Sequence, residues 1–224
     1  EKPCIVCISD DQRQHFEGLF SPAQARVCSN GIDMDMYKPL GMPRSDRFLF
    51  LARFSSIKGA DLGIDACKLH GLGLDLIGDT QITNEPDYVN RCKRMADGKQ
   101  IKIYGNQTRG ACGWWHSQAH CLLHPNMRFR EPLGLSPLES QASGTPCLAW
   151  NYGAMRETLH RTEGFDNLVT NVDEFNAAVK SAVGGITPKD RERCREWVGS
   201  KYTLRHMTER YAELVEEAVS TGGW

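Results

Sequence analysis

Two glutamates in the stretch REPLGLSPLESQASGTP, residues 130–146, lie eight positions apart on either side of a Gly-Leu step. Carboxylates accept hydrogen bonds from sugar hydroxyls, but they are poor ligands for phosphate. Between Glu131 and Glu139, Gly134 and Leu135 precede a predicted helix and would present free backbone N–H groups, which suit an anion. A phosphorylated sugar is the ligand class that suits both features.

Glu139 also has a purely structural explanation. Ser136, Pro137 and Glu139 fit an N-cap residue, a proline at the first helical position and the acid of a capping box. A capping box would explain Glu139 without any ligand, whereas it does not account for Glu131. Both interpretations of Glu139 therefore stay open at the level of the sequence.

A pair of basic residues forms a second candidate group. Arg53 follows the predicted strand FLFLA, and Lys58 precedes Gly59 at a predicted helix start. Two cations at one strand-to-helix corner suit a diphosphate, which also favours the positive end of a helix. From the spacing alone, however, basic side chains exposed on a surface loop are the commoner explanation.

Cysteine and histidine spacings raise the question of a metal site. Cys4 and Cys7 have zinc-like spacing, but the sequence has no second pair, and a strand would point them to opposite faces. Four residues recur at intervals of four, as ligands on one helix face would: Cys112, His116, His120 and His124. The segment HCLLHP is typical of a short strand, which breaks that helical register. We therefore expect no metal.

The composition narrows the class of protein. The chain has 224 residues, of which 40% are hydrophobic and 25% charged, as expected of a globular protein. Its net charge of −1 offers no general attraction to nucleic acid or to anionic lipid. We expect no nucleic-acid partner, no membrane-spanning segment and no secretion signal. Nine scattered cysteines favour reduced thiols and a cytoplasmic location.

Alternating strand and helix patterns predict the fold class. From about residue 46 onward, short apolar strands alternate with helices, which is typical of right-handed β-α-β units. We predict an α/β fold with a Rossmann-like parallel sheet and helices on both faces. The predicted strands of this sheet are RFLFLAR, LDLIGD, IKIYGN, HCLLHP, PCLAW and NLVT. Since ligands bind outside the carboxyl ends of such strands, the residues that follow each strand are the candidate site.

The region before residue 46 is different. CIVCIS and ARVCSNGID are predicted strands on either side of a predicted helix, DDQRQHFEGLF, capped by Ser9 or Asp10. MYKPLGMPRSD has two prolines and no periodicity, and we interpret it as a linker. We divide the chain into residues 1–40, the tail of another domain with the linker, and residues 41–224. Because the sequence starts with Glu1 and not with an initiator methionine, we expect it to start inside a longer polypeptide or after processing.

Four motifs together give a family resemblance. They are NGID at 30–33, ARFSSIKG at 52–59, REPLGLSPLESQASGTP at 130–146 and NYGAMRE at 151–157. The sequence resembles the retaining glycosyltransferases of the GT-B fold, family 4 (glycosyl transferases group 1), and in particular their carboxyl-terminal donor-binding domain. The resemblance covers residues 5 to about 185. The E-x7-E spacing is its most specific element.

The resemblance implies a role for each candidate residue. Arg53 and Lys58 would hold the diphosphate of a nucleotide-sugar, linked to UDP, GDP or ADP. Glu131 would accept hydrogen bonds from the donor sugar, so that Glu131, Arg53 and Lys58 form the catalytic group. No metal or other cofactor is expected, because the two cations and the helix end would neutralise the leaving diphosphate.

The other donor-binding residues follow in the same way. The N–H groups of Gly134 and Leu135 would meet the phosphate, and Glu139 would bind the ribose hydroxyls. Gly105 and Asn106, after the strand IKIY, would read the base.

The family also implies a missing part. Its members have two domains of similar size, and the amino-terminal one binds the acceptor. We therefore expect this chain to be a donor-binding half that is inactive without an acceptor half, supplied in cis or in trans, through which it could lie against a membrane. The last predicted helix, with apolar Tyr211, Leu214, Val215 and Ala218, either crosses onto that other domain or packs on its own sheet.

Two alternative functions stay open. A non-catalytic nucleotide-sugar-binding module or subunit would need the same residues, and a nucleotide-sugar epimerase would have a similar architecture. The E-x7-E spacing argues against the epimerase. The absence of G-x-G-x-x-G after the first strand argues against a dinucleotide-dependent dehydrogenase.

Overall fold

The computed structural model describes residues 4–16 and 24–223. Within them, eight strands and nine helices alternate along the chain. The strands are β1 Ile5–Cys7, β2 Ala25–Val27, β3 Phe48–Leu51, β4 Leu74–Ile77, β5 Ile101–Tyr104, β6 Leu122–His124, β7 Cys147–Trp150 and β8 Leu168–Val169. The helices are α1 Asp10–His15, α2 Ala60–Leu69, α3 Pro86–Met95, α4 Arg109–Gln118, α5 Leu135–Ala142, α6 Met155–Thr158, α7 Val172–Gly185, α8 Pro188–Lys201 and α9 Leu204–Thr221.

Six of the strands form one parallel sheet in the order β5-β4-β3-β6-β7-β8. The chain first adds strands on one side of β3 and then returns to add β6 on its other side. This reversal leaves a crevice outside the carboxyl ends of β3 and β6, where open α/β sheets bind ligands. The loop after β3 carries ARFSSIKG, and the segment from the loop after β6 through helix α5 carries REPLGLSPLESQASGTP.

Successive side chains of the central strand point to opposite faces of the sheet. Phe48 and Phe50 join a core with Ile64 of α2 and Phe175 of α7. Leu49 joins a second core on the other face, with residues of the α4 and α6 regions. The two cores confirm the predicted Rossmann-like sheet with helices on both faces.

The first described strands form a separate sheet. β1 and β2 pair in parallel and have no partner in the six-stranded sheet among residues 4–16 and 24–223. Ser9 caps α1, since its Oγ accepts a hydrogen bond from Gln12 N at 3.0 Å, as predicted. The predicted helix extended to residue 20, whereas the described α1 ends at His15; residues 17–23 lie outside the described part. The division of the chain at residue 40 stays a prediction.

Helix α9 packs against this small sheet. Arg26 of β2 forms an ion pair with Glu217 at 2.5 Å, and Arg210 Nε donates to Val27 O at 3.2 Å. At the start of α9, a Cβ on Gly31 of the NGID motif would lie 2.6 Å from Thr203 O. Of the two interpretations of the last helix, the structure therefore favours packing onto the amino-terminal segment.

The two-face core makes a prediction about stability. Ile64 is fully buried in the core, whereas Ile82 is 73% exposed. We expect Ile64→Ala to lower the free energy of unfolding by about 2–5 kcal/mol, because the substitution leaves a cavity. Ile82→Ala is the matched control and should change it by less than about 0.5 kcal/mol. Urea denaturation measures both, and equal effects of the two substitutions would contradict this description of the core.

Candidate functional site

A cleft of about 330 Å³ lies at the crevice between β3 and β6. Arg53 and Lys58 line it from the loop after β3, and Glu131 and Gly134 line it from the loop after β6. These residues are far apart in sequence, and the strand order brings them together. The structure therefore places the predicted phosphate-binding and sugar-binding groups around one space.

Glu131 is the most heavily contacted side chain of the cleft. Lys58 Nζ lies 2.5 Å from its Oε2, and Asn126 Nδ2 donates to the same oxygen at 3.0 Å. His124 Nε2 lies 3.4 Å from that oxygen, an ion-pair distance when the imidazole is protonated. No described residue donates a hydrogen bond to the other oxygen, Oε1. Glu131 thus keeps acceptor capacity for a ligand hydroxyl.

The charge state of Glu131 follows from these neighbours. Burial of the carboxylate by itself raises its pKa, but the hydrogen bonds and charges of His124 and Lys58 outweigh burial and lower the pKa to about 2. Glu131 is therefore an anion at neutral pH. An ionised carboxylate is an acceptor only, which suits contact with sugar hydroxyls.

Two glycines fix the loops around this carboxylate. Gly153 of NYGAMRE has φ +69°, and a Cβ there would lie 2.5 Å from Glu131 O, while Ala154 N donates to the same oxygen at 2.9 Å. Gly59 has φ +73°, and its Cβ would lie 2.3 Å from Pro125 O. Both positions need glycine for conformation and for space. Gly59 thus lets the loop after β3 approach the loop after β6, and Gly153 lets the NYGAMRE segment approach Glu131. Both loops of the Lys58–Glu131 pair are held by these close contacts.

Helix α5 begins earlier than predicted. Its N-cap residue is Gly134, at φ 85°, and not Ser136, which lies inside the first turn. Glycine adopts this left-handed conformation without strain. Because glycine has no side chain, the helix starts without a side-chain cap. The predicted capping box of Ser136 and Glu139 was therefore wrong. No described residue accepts a hydrogen bond from the N–H groups of Leu135 and Ser136, which leaves two donors at the cleft.

Glu139 contacts the neighbouring helix instead of its own backbone cap. Its Oε2 lies 3.6 Å from Nε2 of the fully buried His116 on α4. Burial raises the pKa of Glu139, but its polar neighbours His116, Tyr37 and Arg109 outweigh burial and lower the pKa. Burial, and to a smaller extent the Glu139 carboxylate, raise the pKa of Tyr37. Glu139 is therefore held as an anion by partners from three separate segments.

The region around Glu139 continues the cleft of Glu131. Asn30 of NGID and Leu135 line both parts, so Leu135 and the start of α5 lie between the two glutamates. Arg109 and Tyr37 line the Glu139 part. The cleft therefore presents a carboxylate, a helix amino terminus and a second carboxylate in that order.

The histidines explain a pattern that the sequence left open. His116 lies at the Glu139 carboxylate and His124 at the Glu131 carboxylate. Helix α4 ends at Gln118, and His120 Nε2 instead lies 2.8 Å from Ala182 O, so the three histidines do not share one helix face. Sequence reasoning missed the role of His116 and His124. Each histidine lies beside its glutamate only in the folded chain, and nothing in the local sequence indicates these contacts.

The basic residues of the cleft differ in their environment. Lys58 is nearly buried and lies 5.0 Å from the centre of the Phe129 ring, in addition to its ion pair. Arg53 is exposed at the edge of the cleft, and within the described ranges its side chain has no carboxylate or carbonyl partner. Arg53 is thus the cation available for an incoming anion.

Gly105 and Asn106 are not brought into the cleft. Both are exposed in the loop after β5, and neither lines the part at Glu131 or the part at Glu139. β5 is the edge strand of the sheet, two places from β3. Arg109, a few residues later at the start of α4, is the residue of this region that reaches the cleft.

Residues 4–16 and 24–223 contain no cluster of three or more His, Cys, Asp or Glu side chains arranged to hold a metal ion. In the same ranges, no helix has the length and apolar content that a membrane span requires.

Comparison with known proteins identifies the family. The fold is that of GT-B glycosyltransferases of known structure. Residues 39–197 match the family described as glycosyl transferases group 1, and the chain belongs to this family. It is 25% identical over 167 residues to a D-inositol 3-phosphate glycosyltransferase of Mycolicibacterium paratuberculosis, which covers 67% of this chain and 37% of that protein. It is 23% identical over 172 residues to an uncharacterized 41.2 kDa protein in the cps region of Klebsiella pneumoniae, covering 74% and 45% respectively.

Solved structures agree with this fold. A glycosyltransferase from Rickettsia africae superposes with a TM-score of 0.82 at 20% identity, over 96% of this chain and 63% of that one. Anabaena Alr3699/HepE in complex with UDP and glucose superposes with a TM-score of 0.79 at 19% identity, over 95% and 63%. The chain spans less than half the length of the curated relatives described above.

The Glu131 environment predicts a pH dependence of stability. The folded-state pKa of Glu131, about 2, lies below its ordinary value of 4.5, so the ionised carboxylate stabilises the folded chain fully above pH 4.5. This contribution is lost as the pH falls from 4.5 through 2. We therefore expect the difference in free energy of unfolding between the parent and Glu131→Gln to shrink over that interval.

Urea denaturation at a series of pH values between about 3 and 6 measures this difference. Glu216→Gln, which alters an exposed glutamate of α9, is the matched control and should give a small difference at every pH. A parent–Glu131→Gln difference that is constant across the series would contradict the assignment of a lowered pKa.

Proposed function

We propose that this chain binds the nucleotide-sugar donor of a retaining glycosyltransferase. The observation that carries the proposal is the meeting of Lys58, Glu131 and the amino terminus of α5 at the reversal of strand order. A cation and free backbone N–H groups favour phosphate, and an ionised carboxylate beside them favours sugar hydroxyls. A phosphorylated sugar is the ligand class that would use both the phosphate-binding groups and the carboxylate.

The order of groups along the cleft supports an orientation for the donor. The sugar would lie at Glu131, the diphosphate at Arg53, Lys58 and the N–H groups of Leu135 and Ser136, and the ribose at Glu139. Leu135 lines both parts of the cleft, so the start of α5 lies between the proposed sugar and ribose positions. A diphosphate, which joins the sugar to the ribose, would lie at that point.

The proposed chemistry is stabilisation of a leaving diphosphate. As the glycosidic bond to the phosphate breaks, negative charge grows on the diphosphate oxygens. Arg53, Lys58 and the helix terminus would lie around those oxygens before the reaction starts, and such preorganised charge lowers the barrier without a metal. Glu131 would hold the sugar and keep Lys58 in place through their ion pair.

The comparisons support a sugar-transfer reaction and suggest a first donor to test. One similar structure contains UDP and glucose, another of the same protein contains UDP-glucose, and two curated relatives are D-inositol 3-phosphate glycosyltransferases. We propose UDP-glucose as the first probe, with GDP- and ADP-linked sugars as alternatives. Acceptor binding would need an acceptor half beyond this chain, in cis or in trans, and we expect no transfer without it.

All nine cysteines are free thiols in the structure, which favours a reducing compartment and hence a cytoplasmic location.

A binding module without catalysis would hold the same donor in the same cleft. Hydrolysis or transfer of the donor after addition of an acceptor half distinguishes the two functions.

The cation prediction concerns Arg53. We expect Arg53→Ala to weaken binding of UDP by about 1.5–3 kcal/mol, the range for charge-assisted hydrogen bonds, without unfolding the chain. Lys58→Ala should weaken UDP binding similarly, although it also removes the partner of Glu131. Arg94→Ala, an exposed arginine of α3, is the matched control and should leave binding unchanged. Isothermal titration calorimetry measures all four proteins; equal affinity of Arg53→Ala and the parent for UDP would refute a phosphate role.

The two glutamates should differ in what they bind. Glu131→Gln should reduce the gain in affinity from UDP to UDP-glucose, because its proposed partners are hydroxyls of the sugar; a change in the affinity for UDP itself reports on Lys58, which loses its ion-pair partner. Glu139→Gln should weaken both ligands, because ribose is common to them. Calorimetric titration of each variant with UDP-glucose and with UDP alone separates the roles. If Glu131→Gln keeps the parent's gain in affinity from UDP to UDP-glucose, Glu131 does not face the sugar.

A further inference from the structure

A second cavity of about 230 Å³ lies between α4 and strands β3 to β5. Among the side chains that line it are the aromatic Tyr104, Trp114 and Trp115 and the polar Arg47, Asp75, Lys102 and Gln118. Among the described residues, it shares no lining residue with either part of the nucleotide-sugar cleft. It is therefore a separate site, and none of the predicted functions uses it.

The aromatic side chains form a corner. The Tyr104 and Trp115 ring centres are 4.7 Å apart with a 49° angle between planes, and Trp114 meets Trp115 edge-on at 4.9 Å and 82°. Trp114 is 44% exposed, a large fraction for a tryptophan beside a cavity. The exposed indole of Trp114 offers an apolar ring surface against which the C–H face of a pyranose can pack, since aromatic ring faces carry negative charge.

The polar side chains lie on strands beside these rings. Arg47 pairs with both oxygens of the mostly buried Asp75 at 2.8–3.0 Å. A carboxylate has further lone pairs, so Asp75 can accept from additional hydroxyls. Gln118 Nε2 is buried, and no partner for it exists among the described residues. Because Nε2 is enclosed by the protein, the amide oxygen Oε1, which is an acceptor, is the polar atom that Gln118 offers to a ligand hydroxyl in the cavity.

Apolar aromatic side chains beside a carboxylate and an amide oxygen are groups that contact the C–H face and the hydroxyls of a sugar. We propose that this cavity, defined by Trp114, Trp115, Asp75 and Gln118, is a second carbohydrate site that binds a neutral pyranose unit. It holds one sugar ring of a glycan while the cleft at Glu131 is free for a donor. The proposal does not depend on the reaction proposed for that cleft.

Nuclear magnetic resonance of the tryptophan indole N–H groups tests the site directly. The probes are methyl α-D-glucopyranoside and maltotriose, added separately to the chain without nucleotide. The signals of Trp114 and Trp115 should shift saturably, with a Kd of about 1–10 mM, as expected of weak binding to one ring. Trp150 and Trp197, which do not line the cavity, should not shift. The absence of a saturable shift with both probes would overturn the proposal.

Variants separate this cavity from the cleft. Trp114→Ala, at an exposed position, should raise the Kd about five- to tenfold by the Trp115 signal, through loss of a ring contact. Gln118→Leu should also raise it and serves as the second variant if Trp114→Ala perturbs the fold. Tyr211→Ala removes an aromatic side chain of similar exposure on α9 and should have no effect.

Glu131→Gln should keep the parent's Kd for both probes, since Glu131 lies in the other cleft. Loss of pyranoside binding in Glu131→Gln would place the sugar at the cleft and overturn the proposal. An unchanged Kd in both Trp114→Ala and Gln118→Leu would overturn it equally. The affinity of these two variants for UDP reports separately on the function proposed for the cleft.

Discussion

The ion pair between Lys58 and Glu131 joins the two loops on which the cleft is built. A carboxylate as buried as Glu131 is costly to ionise, and the cost is offset only because Lys58, Asn126 and His124 converge on one of its oxygens. These partners come from the ends of β3 and β6. Those strands are neighbours because the chain reverses its direction of strand addition at β3. The arrangement of charges around Glu131 therefore depends on the topology of the sheet.

The same principle applies to the second glutamate. Glu139 is held by His116 of α4, with Tyr37 and Arg109 nearby, so its charge depends on packing between α4, α5 and the amino-terminal segment. Each carboxylate of the cleft thus has a histidine from another element as its neighbour. A site whose charges are fixed by the fold does not have to reorganise when a charged ligand arrives, and this is the condition for strong electrostatic stabilisation.

Close backbone contacts provide the rest of the rigidity. Gly59, Gly134 and Gly153 have positive φ, and a Cβ at each would collide with Pro125, Met155 and Glu131, respectively. Gly31 plays a similar part at the start of α9, where it approaches Thr203. The glycines of the recognisable motifs therefore lie where two backbone segments, or a backbone and a side chain, come too close for a Cβ atom. The charged residues of these motifs act because the glycines allow the loops to come together.

The sequence alone determined the α/β class, the alternation of strands and helices, and the family, because short apolar strands, helix patterns and the motif spacings are local properties. It also identified Arg53, Lys58, Glu131 and Glu139 as candidates from their positions after strands. The start of α5 could not be predicted in the same way, because a left-handed N-cap at Gly134 and a capping box at Ser136 are both compatible with the local sequence, and the structure has the first. Which histidine serves which glutamate, and whether Gly105 lies near the cleft, depend on strand order, which joins residues distant in sequence and leaves no local signal.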